Sequence, residues 1–490
     1  MKFSDASSSV RSLLLARPVA VLPLYLAGTS VGLVAQTVPL VGVALVYALL
    51  FGTGRIEAVV TAVGRIDFAG SELSDAQLER LGEAIAGLFT PEVVALLLVS
   101  ALLGVAVLFV ARAVAGAAQV HAVTAALRDE RAVASGVTGA TQDWKRFLAL
   151  GVVRALSFLL ITAPIAAFGF LAATGSVAAG LLLALSVLVW LPLAFVVYLL
   201  FLFVPQAIVI DGVGVRGGVR RSVGFVRRKP FRVAAYFVVV IGLVGVFGFA
   251  SFVFQLLGIG RLLGVVLAFG LAPTLGVLKT ALYLDEPPVA PRVRGSVGSA
   301  LRRGLRELRS FLVGRPALVV AALALFAAGS AGGWFATRPF ALESLGPGVS
   351  ENVFGTAPVD VFVTLTANNW LVAISAAYAG LGFGVPTVVT LLFNGAVVGG
   401  VVGLLPDPRL AVALIAPHGI VEIPALSVAG ALGLHLGGVA WSYVRGSTTA
   451  DDLAAELVRA YYVLLGLLPV FVVAAFIEAF LTWWVASTIA

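Results

Sequence analysis

The chain runs Ala-Val-Ala-Leu-Ile-Ala-Pro-His-Gly-Ile-Val-Glu-Ile-Pro-Ala from 411 to 425, inside a hydrophobic run that extends from 410 to 441. A run of this length and polarity is typical of a membrane span, yet it contains His418 and Glu422. A charged side chain at the centre of a bilayer costs about 2.5 to 3.5 kcal/mol or more, so such a pair persists only where protein or a polar cavity surrounds it. The stretch therefore predicts a polar site buried inside a helical membrane protein.

The same stretch contains the helix breakers Pro417, Gly419 and Pro424. Proline in a helix interior removes a backbone hydrogen bond, and an irregular backbone at membrane depth is tolerated only where it is buried in protein or lines a cavity. The pattern predicts a helix that is broken at the Pro-His-Gly-x-x-Glu motif. It leaves open whether residues 410–441 cross the membrane or turn back within it.

Hydrophobic runs of this kind recur along the whole chain. Hydrophobic residues make up 61% of the 490 residues and charged residues only 11%, with a mean hydropathy of +1.10. This composition predicts an all-α polytopic integral membrane bundle of about eleven transmembrane helices. The predicted spans are 18–51, 93–118, 147–173, 177–204, 233–257, 262–284, 317–336, 361–381, 386–405, 410–441 and 461–484.

One break in composition divides the spans into two groups. Residues 291–316 contain two prolines and seven arginines between two long hydrophobic blocks. Domain boundaries fall in polar linkers of this kind. We therefore expect a six-helix membrane domain at 1–290, a basic cytoplasmic linker at 291–316 and a five-helix membrane domain at 317–490.

The basic residues define the expected orientation. The net charge is +8, but the lysines and arginines lie in short loops beside hydrophobic runs, which indicates the positive-inside bias and not nucleic-acid binding. This bias predicts a multi-pass protein of the cell membrane with a cytoplasmic N-terminus and an extracytoplasmic C-terminus. Full crossing of 410–441 would also put Arg445 and Arg459 inside. The most basic loop is expected to contact anionic lipid headgroups through Arg216, Arg220, Arg221, Arg227, Arg228 and Lys229.

Candidate site residues concentrate in the second block. The polar residues expected at membrane depth there are His418, Glu422, Asn394, Asn368, Asn369 and Glu478. His418 and Glu422 are four residues apart, which places them on one face of a helix. Two interpretations stay open: a structural lock that satisfies the broken backbone, and an ion or proton relay.

Other chemistry has less support in the sequence. A metal site is not predicted, because zinc sites usually take three protein ligands and the chain has no His-Glu-x-x-His pattern; His435, 17 residues beyond His418, could face elsewhere. There are no cysteines, so thiolate ligands and cysteine nucleophiles are excluded. We predict no cofactor and no catalytic residue. His121 is expected to be a solvated cytoplasmic residue.

The second block resembles the stage II sporulation protein M family of integral membrane proteins, over roughly 301 to the end. The residues that carry the resemblance are Asn368-Asn369, the 380–387 stretch, Asn394-Gly395, Pro417-His418-Gly-Ile-Val-Glu422-Ile-Pro-Ala425, Gly430 and Gly433. The resemblance implies a multi-pass fold and a role in membrane assembly, because the sporulation members are similar in role to scaffolds that hold cell-wall hydrolases at a septal membrane.

The first block resembles the membrane domain attached to some glycerophosphodiester phosphodiesterases, through Gly217-Gly-Val-Arg-Arg-Ser-Val223 after the predicted span end at 204–205. The hydrolase motifs of those enzymes are missing, so the resemblance implies no phosphodiesterase activity.

Taken together, these features predict a non-catalytic scaffold that assembles with an unidentified membrane or envelope protein; self-association into a homo-oligomer stays open. The alternative is a transporter or channel that uses the His418 and Glu422 site. An intramembrane hydrolase ranks third, because His418, Glu422 and Glu478 would have to meet at one water.

Overall fold

The computed structural model describes residues 3–64, 75–286, 296–341, 358–405, 408–482 and 484–485. Every regular element in these ranges is a helix, which confirms the predicted all-α class. Helices are expected in hydrocarbon because they satisfy their own backbone hydrogen bonds. The first-block helices are α1 (Phe3–Arg11), α2 (Leu22–Thr29), α3 (Val31–Gly52), α4 (Arg55–Gly64), α5 (Asp75–Ala86), α6 (Pro91–Leu127), α7 (Ala132–Ala173), α8 (Val177–Phe201), α9 (Val204–Ile210), α10 (Val215–Arg228), α11 (Pro230–Leu256), α12 (Leu262–Val266) and α13 (Ala272–Leu284).

The second block continues the same architecture. Its helices are α14 (Val297–Gly314), α15 (Pro316–Thr337), α16 (Val359–Ala379), α17 (Val385–Leu404), α18 (Pro408–Val444) and α19 (Ala450–Phe476), with a π-helical segment at Ile477–Leu481. The described residues contain eleven helical segments long and apolar enough to cross a membrane, which agrees with the predicted number. They are Leu22–Gly52, Pro91–Leu127, Ala132–Ala173, Val177–Ile210, Pro230–Leu256, Leu262–Leu284, Pro316–Phe340, Val359–Ala379, Val385–Leu404, Ile415–Val444 and Ala450–Leu481.

The predicted break in the 410–441 run is wrong. Helix α18 is continuous through Pro417, Gly419 and Pro424. Each proline removes one backbone hydrogen bond, but helices α15, α16, α17 and α19 pack against α18 and hold it in one piece. Helix α18 runs unbroken over 37 residues, and its segment Ile415–Val444 is long and apolar enough to cross a membrane; that it crosses fully stays a prediction.

Helices α6 and α7 extend much further than the hydropathy of the sequence indicates. They contain 37 and 42 residues, or about 55 and 63 Å at 1.5 Å per residue, against a hydrocarbon core of about 30 Å. Residues 119–146, which lie between two predicted spans, therefore extend both helices and form a helical hairpin. The expected solvation of His121 is wrong, because its Nε2 lies 2.9 Å from Asp143 Oδ2 across the hairpin and both side chains are largely buried.

Several turns meet at one end of the molecule, which we call the basic end. Arg131 Nη1, after α6, lies 2.7 Å from Asp451 Oδ2, after α18, and Arg128 pairs with Glu286, after α13. Hydrogen bonding to Glu286 raises the pKa of the Arg128 guanidinium. Helices α6, α13 and α18 therefore all end at the basic end, as the predicted topology requires; that this end faces the cytoplasm stays a prediction.

The most basic predicted loop is helical, and so is the described part of the predicted linker. Helix α10 buries Gly218, Ser222 and Phe225. Its predicted lipid-contacting side chains are all exposed, namely Arg216, Arg220, Arg221, Arg227, Arg228 and the following Lys229. The described part of the predicted linker is α14, which packs along α19 where Gly304 meets the backbone of Gly466. In both cases an amphipathic pattern among the arginines produces a helix with one buried face.

The largest buried cluster takes side chains from both halves of the chain. It joins Leu24 and Leu26 of α2 and Ala122 of α6 to Ile374 of α16 and Leu432 of α18. The first span is thus packed against the C-terminal bundle. The boundaries proposed at 290 and 317 stay a prediction.

Candidate functional site

Helices α18 and α19 form the centre of the C-terminal bundle. In their most hydrophobic windows, 61% and 44% of the residues are buried inside the protein, the two largest shares among the eleven candidate spans. These two helices are therefore the most enclosed by protein among the candidate spans of the described residues. Both helices carry carboxylates and α18 carries two histidines, and these residues form two clusters.

The first cluster consists of His418 and Glu422 on α18 and Glu478 at the end of α19. One ligand-type atom from each side chain, a ring nitrogen or a carboxylate oxygen, lies within 4.8 Å of those of the other two. All three side chains are partly buried. We call this group the His-Glu-Glu cluster. The i,i+4 spacing of His418 and Glu422 was visible in the sequence. The position of Glu478 beside them depends on how α19 packs against α18.

The backbone positions Glu478 by a change of helix type. Helix α19 becomes π-helical at Ile477–Leu481, a single-turn feature that occurs frequently at functional sites. Thr482 follows directly; its hydroxyl donates to Ile477 O at 3.3 Å and lies 3.3 Å from His418 Nδ1. Thr482 is only 2% exposed. Sequence analysis missed this threonine, because a single Thr in an apolar run gives no signal.

The three predicted asparagines do not join the cluster. Asn394 donates to Thr390 O of its own helix, and Asn368 donates to the side chain of Asn369. No hydrogen bond between described residues links any of them to the His-Glu-Glu cluster. Asn369 Nδ2 is buried without a hydrogen-bond partner in the described structure.

The second cluster, which we call the basic-end network, lies nearer the other end of the same two helices. His435 Nε2 of α18 is 3.0 Å from Glu456 Oε2 of α19, within ion-pair distance but without hydrogen-bond geometry. Arg315 Nη2 lies 3.5 Å from Glu456, and Arg459 pairs with Glu307 of α14 at 3.5 Å. The network therefore ties α14 to α18 and α19. The contact of His435 with Glu456 confirms that His435 faces away from His418. The other members of the network were missed because they lie in predicted loops or at the ends of predicted spans.

These features define a class: an all-helical polytopic membrane protein with an ionisable cluster in its most buried helices. Residues 318–483 match the family model described as SpoIIM, Stage II sporulation protein M. The match covers part of the stretch for which the sequence resemblance was predicted, and the matched region contains every residue of the His-Glu-Glu cluster and also Thr482. No curated protein and no solved structure matches the chain. The resemblance of the first block stays a prediction.

Proposed function

We propose that this protein moves a cation across the membrane and that the His-Glu-Glu cluster is where the cation is held. The observation that carries the proposal is the convergence of three ionisable side chains within 4.8 Å on the two most buried spans. Ionisable groups are costly inside a membrane, and those that persist usually mark ion or substrate pathways.

The basic-end network supports the transport proposal, because it is a second polar cluster on the same pair of helices. His418 and His435 are 17 residues apart, or about 25 Å along α18. Between them Ser427 is fully buried, and its hydroxyl has no hydrogen-bond partner among the described residues. A buried hydroxyl without a partner is unfavourable unless water or an ion reaches it. This arrangement suits a path with a site at each end.

Reconstitution into liposomes tests the proposal. Flux would be followed with a trapped pH dye for protons and a trapped divalent-ion indicator for Mn²⁺, Co²⁺ and Zn²⁺. We expect the wild-type protein to conduct at least one of these cations above empty liposomes, and Glu422→Gln to reduce that flux at least tenfold, because the variant keeps the size of the side chain and removes its charge. Glu79→Gln, on the exposed surface of α5, is the control and should conduct like the wild type.

The second candidate is the scaffold role that the sequence resemblance implies. A scaffold would leave flux at the level of empty liposomes in both the wild type and Glu422→Gln. The variant would then change only stability or the recovery of a membrane partner. Background flux of the wild-type protein for all the cations tested would contradict the transport proposal.

A further inference from the structure

The donor atoms of the His-Glu-Glu cluster match one class of cation. One imidazole and two carboxylates carry a net charge of −2 when both acids are ionised, and in the part of the chain that the structure describes no basic side chain pairs with Glu422 or Glu478. Two such carboxylates in an apolar bundle repel each other unless a cation lies between them. A divalent cation balances their charge. Imidazole together with carboxylate favours first-row transition ions over alkali and alkaline-earth ions.

The distances between the donor atoms also suit a bound metal ion. Ligands about 2.1 Å from a metal lie at most about 4.2 Å from one another. The three ligand-type atoms lie within 4.8 Å of one another, so small side-chain rotations bring them to the distances of a metal site. Three protein ligands leave a position for water or for an entering and departing ion, which is typical of metal sites that exchange their contents.

A separate observation concerns Thr482. Because its hydroxyl donates to Ile477 O, its oxygen is left to accept, and the group opposite it is His418 Nδ1. A proton on Nδ1 leaves the lone pair of Nε2 for a ligand. Histidines that bind metals commonly donate their other ring N–H to a fixed acceptor, which sets the tautomer and the ring orientation. The buried threonine has the position of such an acceptor.

We propose that the His-Glu-Glu cluster binds one divalent first-row transition-metal ion through His418 Nε2 and one carboxylate oxygen each from Glu422 and Glu478, with Thr482 as a positioning residue. This inference rests on the site of the proposed function and specifies its substrate class.

Calorimetric titration of the purified full-length protein with Zn²⁺ tests the inference, together with the visible spectrum of the Co²⁺ complex. The protein must carry no polyhistidine tag; the chain itself has three histidines and no cysteine, so background binding is small. We expect one equivalent of each ion to bind. Glu422→Gln, Glu478→Gln and His418→Gln should each abolish binding or weaken it more than a hundredfold. Thr482→Val should weaken it about 10- to 100-fold.

The matched control is His435→Gln, which removes the other histidine of α18. It should keep the wild-type affinity and the Co²⁺ spectrum, and so should His121→Gln. Circular dichroism and size-exclusion chromatography identify any variant that fails to fold. His418→Asn and Glu422→Asp are second variants at the same two positions, to be used where the first variant does not fold. Absence of binding to the folded wild type, or equal binding by the three ligand variants, overturns the inference.

The binding experiment and the flux experiment can fail independently. Proton flux that depends on Glu422 without any bound metal would refute the metal site and leave the transport proposal standing. Stoichiometric metal binding with background flux would refute transport and leave the metal site standing.

Discussion

Three basic partners share the Glu456 carboxylate: His435, Arg315 and Arg459 all lie within 4 Å of it. Its side chain is 22% exposed. Arg131 offers a contrast, because it makes a shorter contact with Asp451 but is 82% exposed. Exposed pairs contribute little to stability because water and salt screen them. Burial, not distance, should decide which of these contacts matters.

We predict that Glu456→Gln lowers the free energy of unfolding by about 1 to 3 kcal/mol, because it leaves partly buried positive charges unpaired. Arg131→Gln is the control and should change the free energy of unfolding by less than about 1 kcal/mol. Thermal or denaturant unfolding in detergent, followed by circular dichroism, measures both. A larger loss for Arg131→Gln would contradict the prediction.

The sequence contained part of the candidate site. Spacing alone placed His418 and Glu422 on one helical face, and Glu478 was one of several polar residues at membrane depth. Neither its approach to the first two nor the contact from Thr482 could be foreseen, because both depend on the packing of α19 against α18 and on the π-helical segment. The asparagines looked equally plausible, but the hydrogen bonds of Asn394 and Asn368 stay within their own helices.

Helices α15 and α17 are the elements packed most closely by small residues. Gly329 and Gly333 of α15 lie directly against the backbone of α17, and Gly395 and Gly399 of α17 lie against that of α15. Without a hydrophobic driving force between helices in lipid, such close backbone contact is a main source of association. The pair forms one side of the bundle around α18.

Two adjacent glycines of α15 allow a matched test. A Cβ on Gly333 would collide with the backbone of Ala396, whereas a Cβ on Gly332 would meet nothing within 4 Å. We predict that Gly333→Ala destabilises the protein by about 1 to 3 kcal/mol through overpacking. Gly332→Ala should be neutral or stabilise it by up to about 1 kcal/mol, since alanine favours a helix over glycine. Melting temperatures in the same detergent compare the two, and equal effects would argue against the close contact.

Hydropathy predicted the spans but not the full extent of the helices. Each of the eleven predicted spans overlaps a helix, because long apolar runs leave no alternative in lipid. The ends of α6 and α7 were missed, since their outer turns are polar and are held by contacts across the hairpin such as that of His121 with Asp143. The continuity of α18 was missed because prolines count as breakers in the sequence, while neighbouring helices decide the outcome.

The eleven candidate spans place the turns between them at two opposite ends of the protein. The turn after α18 lies at the basic end, and the turn between α7 and α8 lies at the other end of the long helix α7. Because the chain has no cysteine, a single introduced thiol reports one position without background.

We predict that Ser447→Cys and Thr174→Cys, both at exposed positions, are labelled from opposite sides of the membrane by an impermeant maleimide. The positive-inside bias places Ser447→Cys on the cytoplasmic side. Intact cells and inverted vesicles distinguish the two sides. Labelling of both thiols from the same side would refute the prediction that α7 crosses the membrane.

Glu478 lies in the π-helical segment that follows α19. Its position in the bundle therefore depends on the number of residues in α19 as well as on their identity. Each residue of an α-helix turns the chain by about 100°. Removing one residue between 450 and 476 would swing Glu478 and Thr482 to another face, while most single substitutions on the lipid-facing side would leave both in register. Point changes can therefore accumulate along this helix, but an insertion or a deletion within it separates Glu478 and Thr482 from His418.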